Sequence, residues 1–279
     1  MLLVFTATLV VSSALLFWIQ PMFSKMVLPL LGGAPNVWNT CMVFYQAVLL
    51  AGYGMSHGLI RWLGVKRQAV VQVGILGLGF IFLPVAIPED WAESAATWPA
   101  GRLLQLMVTA LGVPLLAISA TAPTLQRWFS QTRHPAARDP YFLYAASNLG
   151  SLAALLGYPL VMEPFLHLPV QAGMWTAGYV LLAGLTFVCA VIVWKSPGRP
   201  SISLLDSSTE EHCPPRIPAA MRLRWVMLAF VPSALLLGLT TYMTTDIAAV
   251  PLLWVIPLAV YLVTFILVFA RRPWPPFSV

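Results

Sequence analysis

The sequence has little charge: 9% of its 279 residues are Asp, Glu, Lys or Arg, whereas 59% are hydrophobic. Soluble domains carry roughly 25% charged residues, so this chain has too few to cover a water-facing surface. Intrinsic disorder is excluded for the opposite reason, because it requires low hydrophobicity and high charge. With a mean hydropathy of +0.84, the composition predicts a chain that is solvated by lipid.

The chain also lacks the residue patterns of a metal site or an enzyme. Its three cysteines form no CxxC pair, and its four histidines fall in separate loops or helix ends, so we expect no disulfide, metal or cofactor. Residues 54–58 match G-x-S-x-G, but they lie at the end of an apolar run and not on a strand–turn–helix unit. We therefore expect no hydrolase chemistry and no enzyme.

Long apolar runs are what the sequence has in abundance. A membrane helix needs about 20 mostly apolar residues, and eight runs meet that length. We number them as spans 1 to 8, at residues 2–24, 38–60, 68–88, 102–125, 141–162, 170–194, 223–245 and 249–270. The sequence predicts an all-α membrane protein with a six-helix bundle at 1–194, a charged linker at 195–222, and two further helices with a short tail at 223–279.

The basic residues fall on one side of this topology. Lys25 and Arg102 alone lie on the outer side, and thirteen of the fifteen lie on the side that holds both termini: Arg61, Lys66, Arg67, Arg127, Arg133, Arg138, Lys195, Arg199, Arg216, Arg222, Arg224, Arg271 and Arg272. Basic loops remain cytoplasmic, so we expect an inner-membrane protein with both termini inside. This distribution explains the net charge of +6 without a nucleic-acid partner, and the expected partner is the lipid bilayer.

Two spans share a short motif. Ser-Ala-Leu-Leu occurs at 13–16 in span 1 and again at 233–236 in span 7. Each span loses clean helical character near its outer end, carries one charge there (Lys25 or Asp246), and then meets Pro29 or Pro251. Six spans, a charged linker and a span similar to the first are typical of two six-helix halves. The second half stops here after two helices.

Several stretches resemble a known family. They are Gln-Pro-Met-Phe-Ser-Lys at 20–25, Leu-Pro-Leu-Leu-Gly-Gly-Ala-Pro-Asn-Val-Trp-Asn-Thr at 28–40, and the stretches at 141–151 and 244–254. They are similar to the major facilitator superfamily, and more closely to the membrane part of bacterial fused major-facilitator/spermidine-synthase-like proteins. That resemblance implies a synthase-like domain, of which this chain contains no sign. The loop at 58–67 also lacks the acid of the superfamily's usual motif, which puts its gating contact in doubt.

Three charged residues reach closest to the membrane. Lys25, Glu163 and Asp246 all lie near the outer boundary by helix length. One interpretation is that they extend to the outer head groups. A second is an outer gate in which Lys25 pairs with Asp246 across spans 1 and 7. A third is a structural pair between Lys25 and Glu163.

The remaining candidate residues are uncharged. Gln20, Gln46 and Trp18 are candidates to line a path for a neutral or singly charged solute, whereas a polyamine would need acids at the midplane. Asn148 in span 5 either bonds to a neighbouring helix or lines the path. The small residues of span 5 predict close helix packing, at Ala146, Gly150 and Ala154.

Two functions remain open. The repeat favours a transporter-like module. Such a module would need a second copy or a missing C-terminal half, because alternating access requires one complete half to rock against the other. The span count and the absence of midplane charge favour a membrane anchor or regulatory module that holds a synthase-like domain or partner at the inner surface.

Overall fold

The computed structural model describes residues 1–32, 35–88, 91, 98–138, 140–196, 218–243 and 255–269. Throughout these ranges the regular structure is helical, and no strand occurs. The principal helices are α1 Leu2–Val27, α2 Pro35–Gly79, α3 Pro99–Ser130, α4 Phe142–Gly157, α5 Glu163–Phe165, α6 Leu168–Lys195, α7 Ala219–Tyr242 and α8 Val255–Phe269.

Most of these helices are long and apolar enough to cross a bilayer. Six helical stretches within the described residues meet that standard: Leu2–Leu31, Val37–Phe82, Pro99–Ser130, Phe142–Phe165, Leu168–Lys195 and Ala219–Thr240. Helix α8 is apolar but shorter, with 15 described residues. Backbone groups in lipid must be satisfied within the segment, which helices of this kind achieve. The structure is therefore that of a helical, multi-pass membrane protein.

Helix α2 folds back on itself at Gly64. This glycine has φ 71° and ψ 173°, which is not helical. Gln68 Nε2 donates to the backbone oxygen of Ser56 across 3.0 Å, whereas residues twelve apart on a straight helix lie about 18 Å apart. Helix α2 therefore consists of two arms, at 35–63 and 65–79. The first arm covers the sequence-predicted span at 38–60, whereas the second arm, with the 3-10 turn Phe80–Phe82 that follows it, overlaps the first part of the predicted span at 68–88.

The chain divides into two units. The first contains Met1–Gly198 and Leu262–Val279, and the second contains Arg199–Tyr261. Within the second unit, α7 has its described side chains exposed or half-buried. Most of the predicted linker at 195–222 lies outside the described residues, as does Asp246.

Two apolar clusters hold the first unit together. One includes Phe5, Leu9, Trp128, Phe129, Leu143 and Cys189, and it lies at the N-terminal end of α1. The other includes Ile19, Phe23, Met107, Leu111, Trp175 and Tyr179, and it lies toward the C-terminal end of α1. Every helix from α1 to α6 except the short α5 contributes to at least one cluster. In lipid such packing is driven by close van der Waals contact.

Small residues allow two helix pairs to approach closely. A Cβ added at Gly150 in α4 would lie 2.9 Å from the Cα of Val10 in α1. A Cβ added at Gly52 in the first arm of α2 would lie 2.9 Å from the Cβ of Ser119 in α3. No real Cβ tolerates such distances without a shift of its surroundings, so glycine sets both helix–helix separations.

Side-chain N–H groups bind the other helix pairs. Trp175 Nε1 in α6 donates to the backbone oxygen of Leu15 in α1 across 3.0 Å. Gln72 Nε2 in the second arm of α2 donates to the backbone oxygen of Ala117 in α3 across 2.9 Å. Both donors are buried. A buried N–H left without an acceptor is costly, so these bonds fix the position of α6 on α1 and of the second arm on α3.

Candidate functional site

A half-open cavity lies between α1, the first arm of α2 and α3. Its volume is about 60 Å³, enough for a few water-sized groups because a cavity needs roughly 10–15 Å³ by this measure to hold one water. Four lining side chains are polar and uncharged: Gln20, Tyr45, Gln46 and Ser119. The rest of the lining is aliphatic or methionine. Among the residues that the structure describes, no charged side chain lines the cavity, which we call the polar pocket.

Most hydrogen-bond donors of the polar pocket already have acceptors. Gln20 Nε2 donates to the backbone oxygen of Leu16 across 3.2 Å. The Tyr45 hydroxyl donates to the backbone oxygen of Gln20 across 3.3 Å. The Ser119 hydroxyl donates to the backbone oxygen of Leu116 across 3.0 Å. The oxygens of these three side chains can still accept hydrogen bonds, so the pocket has more free acceptors than free donors.

Gln46 is the polar side chain that the pocket exposes most. It is exposed on the first arm of α2, whereas Leu50, one turn further along and also exposed, is not among the residues that line the pocket. Its amide can both donate and accept. Gln46 therefore adds its donors and acceptor to the second N–H of Gln20, since the Leu16 oxygen takes only the first.

Gln20 precedes a proline that the helix accommodates. The sequence predicts a loss of helical character at Gln20–Pro21, but α1 continues through Pro21 to Val27. Proline has no N–H, so the usual bond to the backbone oxygen of Phe17 cannot form. Packing in the apolar cluster, in which Met22 and Phe23 are fully buried, compensates for the missing bond.

A charged pair lies beyond the pocket, in the last turn of α1. Lys25 Nζ is 2.7 Å from Glu163 Oε1, and the two side chains are 43% and 31% exposed. The structure thus joins Lys25 to Glu163 in the manner of the third interpretation above. Asp246 lies outside the described residues, so its pairing with Lys25 remains a prediction.

A π-helical segment positions Glu163. Tyr158–Met162 forms one π-helical turn between α4 and α5, and such turns often occur at functional sites. Gln171 at the start of α6 donates to the backbone oxygens of Met162 and Leu166 across 3.2 and 2.8 Å. These bonds hold the backbone on both sides of Glu163, so the carboxylate is presented to Lys25 from a fixed support.

Two predicted path-lining residues do not reach the pocket. Asn148 Nδ2 donates to the backbone oxygen of Tyr144 across 2.8 Å, a bond within its own helix, and Asn148 is not among the residues that line the polar pocket. The indole nitrogen of Trp18 is buried and has no hydrogen-bond acceptor within the described part of the chain. Gln20 and Gln46, by contrast, line the same cavity.

The predicted packing residues of α4 lie on either side of its contact with α1. Gly150 is buried directly against α1, and Ala146 and Ala154 are half-buried one turn away on each side. The Ser13 hydroxyl lies beside Gly150 and donates to the backbone oxygen of Leu9 across 2.9 Å. This contact serves packing and does not form part of the pocket.

Sequence reasoning missed Ser119. It follows a run of aliphatic residues in α3, and a single serine in such a run commonly bonds to its own helix. Nothing in the chain order indicates that it faces Gln46 of another helix. Among the described residues, no group of three His, Cys, Asp or Glu side chains is placed to hold a metal ion.

Comparisons with models of protein families, with curated proteins and with solved structures found no match for this chain.

Proposed function

We propose that the chain is a transporter-like membrane module that crosses the bilayer eight times and admits a small neutral solute to the polar pocket. The observation that carries the proposal is an uncharged polar cavity among helices of membrane-spanning length. Polar side chains are costly in lipid and usually face a cavity or protein. A module that served only as an anchor would have no use for Gln46 at such a position.

The helix contacts of the first unit support a transporter-like arrangement. The contact of α4 on α1 through Gly150 has a counterpart in the contact of the first arm of α2 on α3 through Gly52. The bond from Trp175 to α1 has a counterpart in the bond from Gln72 to α3. The equivalent residues are separated by about 100 residues along the chain, a spacing that suggests an internal repeat.

This correspondence relates two sets of three segments. It pairs α1 with α3, the first arm of α2 with α4, and the second arm of α2 with α6. Inverted three-helix repeats of this kind build the six-helix halves of major-facilitator transporters. The correspondence therefore favours a six-helix half in residues 1–194, with α7 and α8 belonging to a second half.

The chemistry of the polar pocket favours a neutral solute with several hydroxyl or N–H donors. Free oxygens of Gln20, Tyr45 and Ser119 would accept from such donors, and the Gln46 amide would donate in return. A polycation would need carboxylates, because a desolvated charge without a counter-charge is very costly. Among the described residues Glu163 is the one acid, and it is paired with Lys25.

The proposal is tested by the access of water to the pocket. Single cysteines replace Gln46 or Leu50 in a background with Cys213→Ser. The remaining native cysteines, Cys41 and Cys189, are buried, so the introduced cysteine should be the one that reacts. Vesicles are treated with a charged, membrane-impermeant methanethiosulfonate reagent. Gln46→Cys should react and be protected by erythritol or glucose but not by spermidine. Leu50→Cys, whose native side chain is 74% exposed but faces lipid in this proposal, should not react.

Two results would oppose the proposal. If neither cysteine reacts from either side of the membrane, the pocket is dry, and the anchor or regulatory function becomes the better account. If both react equally and no solute protects, exposure on the first arm of α2 does not define a binding pocket.

A further inference from the structure

The hairpin of α2 exposes a cluster of cations. Arg61 ends the first arm, and Lys66 and Arg67 begin the second, all within seven residues around Gly64. All three side chains are exposed. The ion pair recorded in the described part of the chain is Lys25–Glu163, so none of the three cations meets a carboxylate there.

The cluster lies at the end of the bundle that holds the N-terminus of α1. Ala69 and Val65 of the second arm pack with Phe5, Leu2 and Val4 in one apolar cluster. The Lys25–Glu163 pair lies at the opposite end of α1, which begins at Leu2 and ends at Val27. The hairpin therefore places its three cations at the membrane edge away from the paired charges.

An exposed tryptophan accompanies the cations. Trp62 follows Arg61 directly and is 80% exposed. Its ring lies one turn beyond Gly58, where an added Cβ would be 3.5 Å from the ring. Tryptophan prefers the membrane–water interface, where its ring sits at the depth of the head groups. Trp62 thus sets the depth of the hairpin at the level where phosphates lie.

We propose that this hairpin, Arg61 to Arg67, is a binding site for the head group of an anionic phospholipid. Three exposed cations within seven residues supply the charge complement of a phosphate and its anionic substituent. The neighbouring Trp62 ring supplies the contact with the glycerol and upper acyl region. Clusters of basic residues next to membrane helices recognise anionic lipids in this way.

The other cations at this end of the bundle provide matched controls. Arg127 lies in the last turn of α3, and Lys195 lies in the last turn of α6. Cations there interact with helix C-terminal carbonyls, which gives them a role apart from lipid. Together with Arg133 they form a second set of three exposed cations. Unlike the cations of the hairpin, these three do not all belong to one short segment of the chain.

The test measures lipid affinity by native mass spectrometry of the whole chain released from detergent. Phosphatidylglycerol and phosphatidylcholine are titrated onto the wild type, onto the triple variant Arg61→Gln, Lys66→Gln, Arg67→Gln, and onto the control triple Arg127→Gln, Arg133→Gln, Lys195→Gln. Each cation near an anionic surface is worth about fivefold in affinity, so the hairpin triple should bind phosphatidylglycerol about 100-fold more weakly. Its affinity for phosphatidylcholine should not change.

The controls make the proposal falsifiable. Circular dichroism checks that both triples remain helical, and if the hairpin triple is not, the three single variants replace it with about fivefold losses each. Equal weakening in both triples would overturn the proposal in favour of diffuse surface charge. Unchanged binding of phosphatidylglycerol by the hairpin triple would overturn it outright.

Discussion

Gly150 is the position where a single added methyl group should be most informative. Replacing it by Ala places a Cβ 2.9 Å from the Cα of Val10, and also against the Ser13 hydroxyl. The hydroxyl can rotate away, but the Val10 Cα is backbone and cannot, so α4 must move away from α1. Overpacking of this kind typically costs 1–3 kcal/mol. Loosening of the α1–α4 contact should lower stability by about that amount.

The helix itself gains from the same substitution, so a control is needed. Alanine is better than glycine in a helix interior by about 1 kcal/mol. Gly184 in the middle of α6 has no atom within 4 Å of an added Cβ, so Gly184→Ala reports that gain alone. The difference between the two variants isolates the clash.

Thermal unfolding in lipid nanodiscs measures this difference. Gly150→Ala should melt several degrees below Gly184→Ala, because 1 kcal/mol shifts the Tm by about 2–4 °C in a chain of roughly this size. Identical melting temperatures would refute the close α1–α4 contact. A matching loss in Gly52→Ala would extend the reasoning to the first arm of α2, where Ser119 and Ala120 are the neighbours.

Four further substitutions test the hairpin, an inter-helix bond and the charged pair. Gly64→Ala should destabilise by about 1–3 kcal/mol in denaturant titration, because φ 71° with ψ 173° is a region nearly confined to glycine; no change would argue against the turn. Trp175→Phe removes the bond to the Leu15 oxygen and should lower the Tm by the equivalent of about 1 kcal/mol; a Tm equal to wild type would contradict that bond. Lys25→Glu and Glu163→Lys should each destabilise by up to about 1 kcal/mol, since the pair is partly exposed; the double swap should restore the Tm, and failure to do so would count against the pair.

The membrane helices could be predicted from the sequence because length and apolar content alone decide them. The turn between the predicted spans at 38–60 and 68–88 falls where Gly64 breaks α2, in the basic stretch that separates the two apolar runs. The behaviour of Pro21 could not be predicted. Whether a proline ends a helix or lies within it depends on the packing around it. Met22 and Phe23 are fully buried because they contact residues that are distant in sequence, and the local sequence does not show those contacts.

The site could be predicted only in part. Gln20 and Gln46 stand out as amides in apolar runs, and both line the polar pocket. Asn148 stands out equally, and its amide donates to its own helix as that of Gln20 does, yet Asn148 does not line the pocket. The difference lies in which face of each helix meets a cavity. A single sequence of a nearly uniformly apolar helix does not determine that face, because lipid-facing and protein-facing positions are both apolar.

The repeat that we propose within the first unit illustrates why symmetry is hard to predict from identical residues. Trp175 and Gln72 share no chemistry except a side-chain N–H, and that N–H is all the bond requires, because the acceptor in each case is a backbone oxygen that any residue supplies. Gly150 and Gly52 are alike only in lacking a Cβ. Ser-Ala-Leu-Leu, by contrast, is identical at 13–16 and 233–236. Apolar spans have similar composition, so a match of four residues between two of them can arise by chance. Equivalent contacts are therefore stronger support for the proposed six-helix half than identical residues are. Substitutions at Gly150 and Gly52 test the proposed half more directly than any substitution in the shared motif.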